Sequence, residues 1–599
     1  MKDLSSLSLD LGSLKAGYRS GAFAPADVIR EIYRRVRILQ SNPVWIHLVP
    51  EEESLRTAEV ARDAADAPLY GIPFAIKDNI DAEGLPTTAA CPSFSYKAGS
   101  DATVVARLRR AGAILIGKTN LDQFATGLVG VRSPYGACLN IFNPAYISGG
   151  SSSGSAVAVA AGLVTFALGT DTAGSGRVPA AFNNIVGLKP TRGVLSARGI
   201  VPACRSLDCV TLLCLTSADA RFLFSIAASY DEQDAYSRHQ ITNRTAPLKY
   251  RIGVPSTQVL QELEPNYRRL FGEAVERIES LGHPMLEVDV SPFVESAKLL
   301  YGGPWVAERF AAFGDFIKAR PDAIHPVVRE IVLGGEKLSA VDAFKGLYAL
   351  EKYRQATSAV WEAIDLLLLP TAPEIFRIDE IENDPIALNA RLALFTNFAN
   401  LLDLAAIAVP AGFRSDGLPF GITFFGQAFS ENLLFDCADA YLDLLRPFMG
   451  GTSALYPPGS VPVEEPASDR ILIAVVGAHL SDEPLNYQLT ERGGRLVRKT
   501  KTAPSYELYA LPGTSPPKPG LVRVGCERGR SIELEVWDLP SSEFGDFING
   551  VPSPLTIGTV HLCDGRIAKG FLCEEVSVRD ALNISEFGGW KAYLKSLKM

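Results

Sequence analysis

Two serine clusters, each wrapped in small residues, bound the stretch 149–176. The first is Gly149-Gly150-Ser151-Ser152-Ser153-Gly154-Ser155, and the second is Asp171-Thr172-Ala173-Gly174-Ser175-Gly176. Between them run the apolar residues 156–168, of which 163–168 read as a short buried strand. A serine just after a buried strand, with glycine on both sides, sits where main-chain N–H groups can face a substrate, as an oxyanion hole requires. A Gly/Ser linker carries no apolar insert between its halves. A phosphate loop ends in Gly-Lys-Ser/Thr or spaces its glycines as Gly-x-Gly-x-x-Gly, and neither is present. The reading carried forward is an oxyanion hole beside a serine.

A serine hydroxyl needs a base before it becomes a nucleophile. The six histidines are His47, His239, His283, His325, His479 and His561, and none is near either cluster in sequence. Sequence distance alone leaves a folded Ser–His pair open. The other candidate is Lys77, which closes the apolar run Phe74-Ala75-Ile76. It is either a solvated strand end or a desolvated amine, and desolvation lowers a lysine pKa and turns it into a base.

The elements that must position these groups alternate. Residues 25–40 form an amphipathic helix with Val28, Ile29, Ile32, Val36 and Leu39 on one face and Pro25 at its start. A turn and short strand follow over 68–79, then a helix over 101–112, a strand over 113–116 and a Gly-containing loop over 121–136. Further on, residues 350–364 are helical, and 366–369, 404–409 and 420–425 are strands. Such alternation implies an α/β layer architecture. Between 455 and 470 the composition changes: Pro457, Pro458, Pro462 and Pro466 mark a semi-rigid linker. Strand-like runs then dominate, at 471–476, 521–524, 532–537 and 555–560, as in a separate α+β domain.

The chain has 599 residues, 47% hydrophobic and 21% charged, so two to four soluble globular domains are expected. A net charge of −9 argues against a nucleic-acid binder, which shows a basic face. The nine cysteines are odd in number and include no Cys-x-x-Cys, which points to neither a disulfide framework nor a zinc site and fits a reducing, cytoplasmic setting. The first eleven residues contain no hydrophobic signal core, and the longest nearly apolar run, 156–168, is too short for a bilayer.

Residues 1–455 resemble the amidase signature family. The likeness rests on Gly149 to Gly154, Gly169 to Ser175, Lys77, Gly187-Leu188-Lys189-Pro190-Thr191-Arg192-Gly193, Asn400 to Gly412 and Leu418 to Gln427. The resemblance implies a mixed central sheet covered by helices. It also implies a Ser–cis-Ser–Lys triad, with Ser175 as nucleophile, Ser151 as bridge and Lys77 as base. The N–H groups of Thr172, Ala173, Gly174 and Ser175 would form the oxyanion hole. Where the family carries a glycine, this chain has Ala173, which forbids an easy positive φ there. No metal or cofactor is implied, because the amine and the N–H groups do what a Lewis acid would.

The stretch Leu300-Tyr301-Gly302-Gly303-Pro304-Trp305-Val306-Ala307-Glu308-Arg309 and the C-terminal region resemble the branch of the family that hydrolyses allophanate. This implies that Tyr301 and Arg309 hold a small ureide carrying a carboxylate, which a guanidinium grips with two prongs. Taken alone, Arg309 also reads as a surface helix arginine and Tyr301 as packing. Gly127 is a candidate to present main-chain groups to the substrate. The C-terminal region, 471–599, is similar to the appended domain of that branch, whose fold resembles γ-glutamylcyclotransferases. The Tyr-Gly-Ser-Asn-Leu loop of those enzymes is replaced by Gly477-Ala478-His479-Leu480, which departs from the cyclotransferase pattern; His479 reads either as a structural histidine at a strand end or as the candidate for a second active site. The resemblance further implies a homodimer, urea breakdown and urea carboxylase as a possible partner. The alternatives are an amidase acting on biuret or malonamate, and an amidotransferase-type subunit whose C-terminal region docks a partner.

Overall fold

The computed structural model describes residues 4–60, 66–240, 249–457, 470–525, 527–563 and 567–597. The described residues up to 457 form one compact unit and those from 470 form a second. Most of the expected linker lies outside the described residues. Its first residues belong to the larger unit: Tyr456 is buried and its hydroxyl is 2.7 Å from Ser217 Oγ.

The first unit is built on a mixed sheet of eleven strands among the described residues. Its middle positions the candidate chemistry. Strand Pro73–Lys77 lies between Ile114–Thr119 and Phe166–Asp171, parallel to both, and Phe166–Asp171 pairs antiparallel with Cys209–Cys214. Every residue of these four strands is buried. A sheet covered on both faces requires continuous apolar runs, and Phe74-Ala75-Ile76 is one of them. The rings of Phe74 and Phe166, opposite each other in register, stack at 5.2 Å.

The strand expected over 163–168 runs instead from Phe166 to Asp171. Gly162 turns the chain at φ +63°, and Thr165 N–H donates to Pro73 O at 3.0 Å before pairing begins. The strand therefore ends in the polar residues Gly169-Thr170-Asp171, which an apolar-run criterion does not see. Part of the apolar insert is a helix, Ser153–Ala160, buried on every side. The helices expected over 25–40 and 101–112 are Pro25–Ile38 and Thr103–Arg110, and the one over 350–364 is the tail of a longer helix, Ala340–Ala363. Among the described residues, no helix is long and apolar enough to cross a membrane.

Among its described residues, the second unit has a five-stranded and a three-stranded sheet with short helices. Its first strand, Arg470–Val475, lies between Glu533–Pro540 (antiparallel) and Ile567–Cys573 (parallel). Its own core includes Ile473, Val475, Leu534, Val536 and Trp537.

Candidate active site

Lys77 ends its strand fully buried. The register that sets Ile76 beside Leu168 brings Thr170 within reach, and Lys77 Nζ lies 2.7 Å from Ser151 Oγ and 2.8 Å from Thr170 Oγ1. Two hydroxyls can serve a neutral amine, as donor and acceptor, without any charge to balance. Burial pulls the Lys77 ammonium down from 10.5 to about 7, although Asp122, Asp208 and Asp171 push the other way. Lys118, equally buried, differs in kind: its Nζ lies 3.2 Å from Asp78 Oδ1. Among the described residues, one lysine is held by an ion pair, and the other by hydroxyls alone.

Ser151 follows a cis peptide bond after Gly150. A side chain cannot replace that glycine: a Cβ there would sit 2.2 Å from Asp122 Oδ2 and 2.6 Å from Gly130 N. Asp122 is the post around which this loop is wound, because its carboxylate accepts the N–H groups of Val129, Gly130 and Arg132 at 2.9–3.2 Å. Ser152 N–H donates to Ser175 O at 3.2 Å, which joins the two serine clusters through the main chain. Ser175 Oγ donates to Gly127 O at 3.4 Å, so the Gly-containing loop of 121–136 forms a wall of the site.

The loop after strand Phe166–Asp171 is fastened from inside. Asp171 accepts Gly174 N–H at 2.8 Å and Gly176 N–H at 3.2 Å, and Arg177 clamps it with two prongs at 2.9 and 3.0 Å. Burial alone raises a carboxyl pKa; the Arg177 guanidinium more than offsets this and holds Asp171 below the usual carboxylate range. Gly174 therefore drops out of the expected donor set, since its N–H is committed to Asp171. Among the described residues, no protein acceptor is found for the N–H groups of Thr172, Ala173 and Ser175. The positive φ falls at Gly174 (+127°) and not at Ala173, so the alanine carries no backbone strain.

Arg309 lies on helix Trp305–Ala319 and is only 1% exposed, which rules out a surface arginine. Its Nη1 donates to Thr126 Oγ1 at 3.0 Å, next to Gly127, and its Nη2 to Tyr301 Oη at 3.4 Å. Its Nε has no hydrogen-bond partner among the described residues. The Tyr301 ring packs on the same guanidinium at 5.2 Å and lines a cavity of about 540 Å³ with Arg132, Asn389 and Asn397. Lys77 with Ser151, Ser175 with Gly127, and Arg309 with Tyr301 are thus joined into one set through the main chain at Ser151-Ser152 and Thr126-Gly127.

His479 belongs to the second unit. It lies in a cavity of about 180 Å³ with Gln488, Lys518, Phe547 and Phe571. Its ring stacks on Phe571 at 5.0 Å and its Nε2 is 2.9 Å from Gln488 Oε1. Burial lowers its pKa below the ordinary imidazole value, against the hydrogen bond with Gln488, which raises it.

Residues 27–435 match the amidase family. The chain belongs to the amidase family. Beyond this amidase domain, residues 471–595 match the allophanate hydrolase C-terminal domain. The chain is 44% identical over 579 residues to the urea amidolyase of Saccharomyces cerevisiae, covering 92% of this amidase but 31% of that protein. It spans about a third of the length of the first curated relatives it matches. It is 32% identical over 456 residues to one of the subunits of the glutamyl-tRNA(Gln) amidotransferase from an Exiguobacterium strain, covering 71% of this chain and 94% of that one. A solved structure of Kluyveromyces lactis allophanate hydrolase superposes with a TM-score of 0.75 at 41% identity, covering 99% of this amidase and all of that chain.

Residue-type reasoning missed Thr170, Asp122, Asp171, Arg177 and Lys518. The signal for Asp171 and Arg177 was present: an acid and a base bracketing five small residues after a strand. Thr170 gave none, because only strand register places it beside Lys77.

Proposed function

We propose that this amidase hydrolyses allophanate. The observation that carries the reading is a buried amine held only by hydroxyls, Lys77 beside Ser151, in one connected set with a buried guanidinium that has an unfilled donor, Arg309 Nε. End-to-end likeness to the K. lactis allophanate hydrolase supports the substrate.

In this mechanism Arg309 and Tyr301 dock the carboxylate end. Neutral Lys77 takes a proton from Ser151, which takes one from Ser175. Ser175 Oγ attacks the terminal ureido carbonyl, and the N–H groups of Thr172, Ala173 and Ser175 receive the oxyanion. Loss of one such donor costs about 10²–10³ in rate. The C–N bond breaks, the proton passes to the leaving ammonia, and water releases N-carboxycarbamate from the serine. The C-terminal unit, through His479, promotes its decarboxylation, so the full chain yields two ammonia and two carbon dioxide.

The stoichiometry tests the whole reading. With allophanate, the intact chain should release ammonium at two per substrate. His479→Ala should still release the first promptly, while carbon dioxide evolution lags. Failure of the intact chain to release any ammonium from allophanate, alongside turnover of biuret or malonamate, would overturn the substrate.

Arg309→Ala should raise KM for allophanate by about 10–100-fold, the scale of a lost charge-assisted hydrogen bond, and affect an uncharged amide far less. Equal losses on both substrates would remove the carboxylate clamp.

We further propose a homodimer. Helix Ala340–Ala363 supports this by presenting Val341, Phe344 and Tyr348, each 56–64% exposed, at spacings of three and four. Sedimentation at the mass of one chain would count against it. The partner activity we propose to supply allophanate is a urea carboxylase; the urea amidolyase relative extends well beyond the stretch that this chain matches, which leaves room there for a further activity.

A further inference from the structure

We propose that Asp208 is a positioning residue of the amidase reaction: its carboxylate fixes the donor loop 172–175 against the segment that carries the helix of Arg309. The inference rests on the oxyanion reading given above.

Thr172 is the first residue after strand Phe166–Asp171, and Asp208 directly precedes the antiparallel strand Cys209–Cys214. Asp171 and Cys209 are register partners, so these two flanking residues meet by construction. Thr172 Oγ1 donates to Asp208 Oδ1. Asp208 Oδ2 accepts Ala203 N–H at 2.7 Å, and Cys204 N–H is shared between the two oxygens at 3.1 and 3.2 Å. The carboxylate therefore ties the donor loop to the turn 203–208. That turn is in turn tied to the clamp helix: Ser206 N–H and Oγ donate to the two oxygens of Glu308, at 2.7 Å each, and Cys204 Sγ reaches Trp305 O at 3.6 Å. Arg309 is the next residue. A second strap backs the first, since Asn400 Nδ2 donates to both Asp171 O and Leu207 O at 2.8 Å.

The consequence is geometric. Asp171 holds the loop by Gly174 and Gly176, which leaves its first residue to be placed by something else. Among the described residues, the Thr172 hydroxyl is the side-chain anchor there. Oxyanion donors act only when they are already in place at the moment charge develops. A carboxylate that accepts three donors on two oxygens can do this, whereas an amide, with one oxygen, turns an N–H₂ toward one of the three.

The test uses the full-length chain with allophanate. Thr172→Val keeps the N–H and the shape but loses the hydroxyl. Its kcat should fall about 10–100-fold with KM within about twofold of wild type, and Thr172→Ser should recover to within about threefold. Asp208→Asn should fall similarly, and the double variant Thr172→Val/Asp208→Asn should be no slower than the slower single. Wild-type kcat in Thr172→Val, a loss that sits in KM, equal impairment of the Val and Ser variants, or multiplying losses in the double variant would each overturn the proposal. If Thr172→Val does not fold, Asp208→Asn decides: unchanged kcat overturns it. Turnover retained in Ser175→Ala defeats the site reading itself; an inactive Ser175→Ala beside a normal Thr172→Val defeats only the role of Asp208.

Discussion

Ser175→Ala should release ammonium from allophanate at least about 10⁴-fold more slowly than the wild type, with binding retained. Removing a serine nucleophile leaves only what the oxyanion donors and substrate binding contribute, a residue of about 10³–10⁴ over the uncatalysed reaction. The fold should not register the change. Ser175 Oγ makes one long hydrogen bond, 3.4 Å to Gly127 O, and its backbone is held through Ser152 N–H and is unaltered. Arg309, whose hydrogen bonds run to Thr126 and Tyr301, stays in place to hold the carboxylate. Calorimetry on the variant should therefore show allophanate binding with near wild-type affinity, and coupled ammonium detection should show no turnover following it. Substantial turnover would move the nucleophile elsewhere in the serine clusters.

What could be read from residue types was chemistry; what could not was contact. Lys77 at the end of an apolar run is visible in sequence, and so is the choice it poses between solvent and burial. The choice is settled by strand register, because Thr170 and Ser151 come to Lys77 from 93 and 74 residues away. Arg309 illustrates the same limit. On its own helix it looks like any charged residue. It is buried because the loop at Thr126, 183 residues earlier, supplies a hydroxyl for it. Gly174 shows the opposite error. Family likeness offered four N–H donors, but a carboxylate three residues away takes one, and only geometry tells which. His479 is visible in sequence as a histidine after a strand, but the rings that enclose it, Phe571 stacked on it and Phe547 edge-on, are remote in sequence.

Lys77→Met should abolish turnover while leaving the amidase unit at least as stable near neutral pH. The two effects have one origin. A lysine whose pKa is depressed from 10.5 to about 7 by burial binds fewer protons folded than unfolded between those values. Stability contributed by this group therefore rises with pH across that window, and at pH 7 its burial costs on the order of 4 kcal/mol. Methionine removes that cost. It leaves two hydroxyls, on Ser151 and Thr170, to find other partners at about 1–3 kcal/mol, so thermal unfolding should shift upward or stay in place. Activity runs the other way. Only the neutral amine can take the proton from Ser151, so wild-type kcat/KM should rise tenfold per pH unit between about 6 and 7 and level off above it; below about 6, the value to which burial raises Asp208, the fall should steepen. Lys77→Arg, charged at every accessible pH, should be inactive throughout. A flat profile from about pH 5.5 to 8, or an active Arg variant, would show that the amine is not the base. Lys118 provides the control. It is as deeply buried but stands 3.2 Å from Asp78, so Lys118→Met strands a carboxylate and should lower stability sharply, whereas Lys77→Met should not.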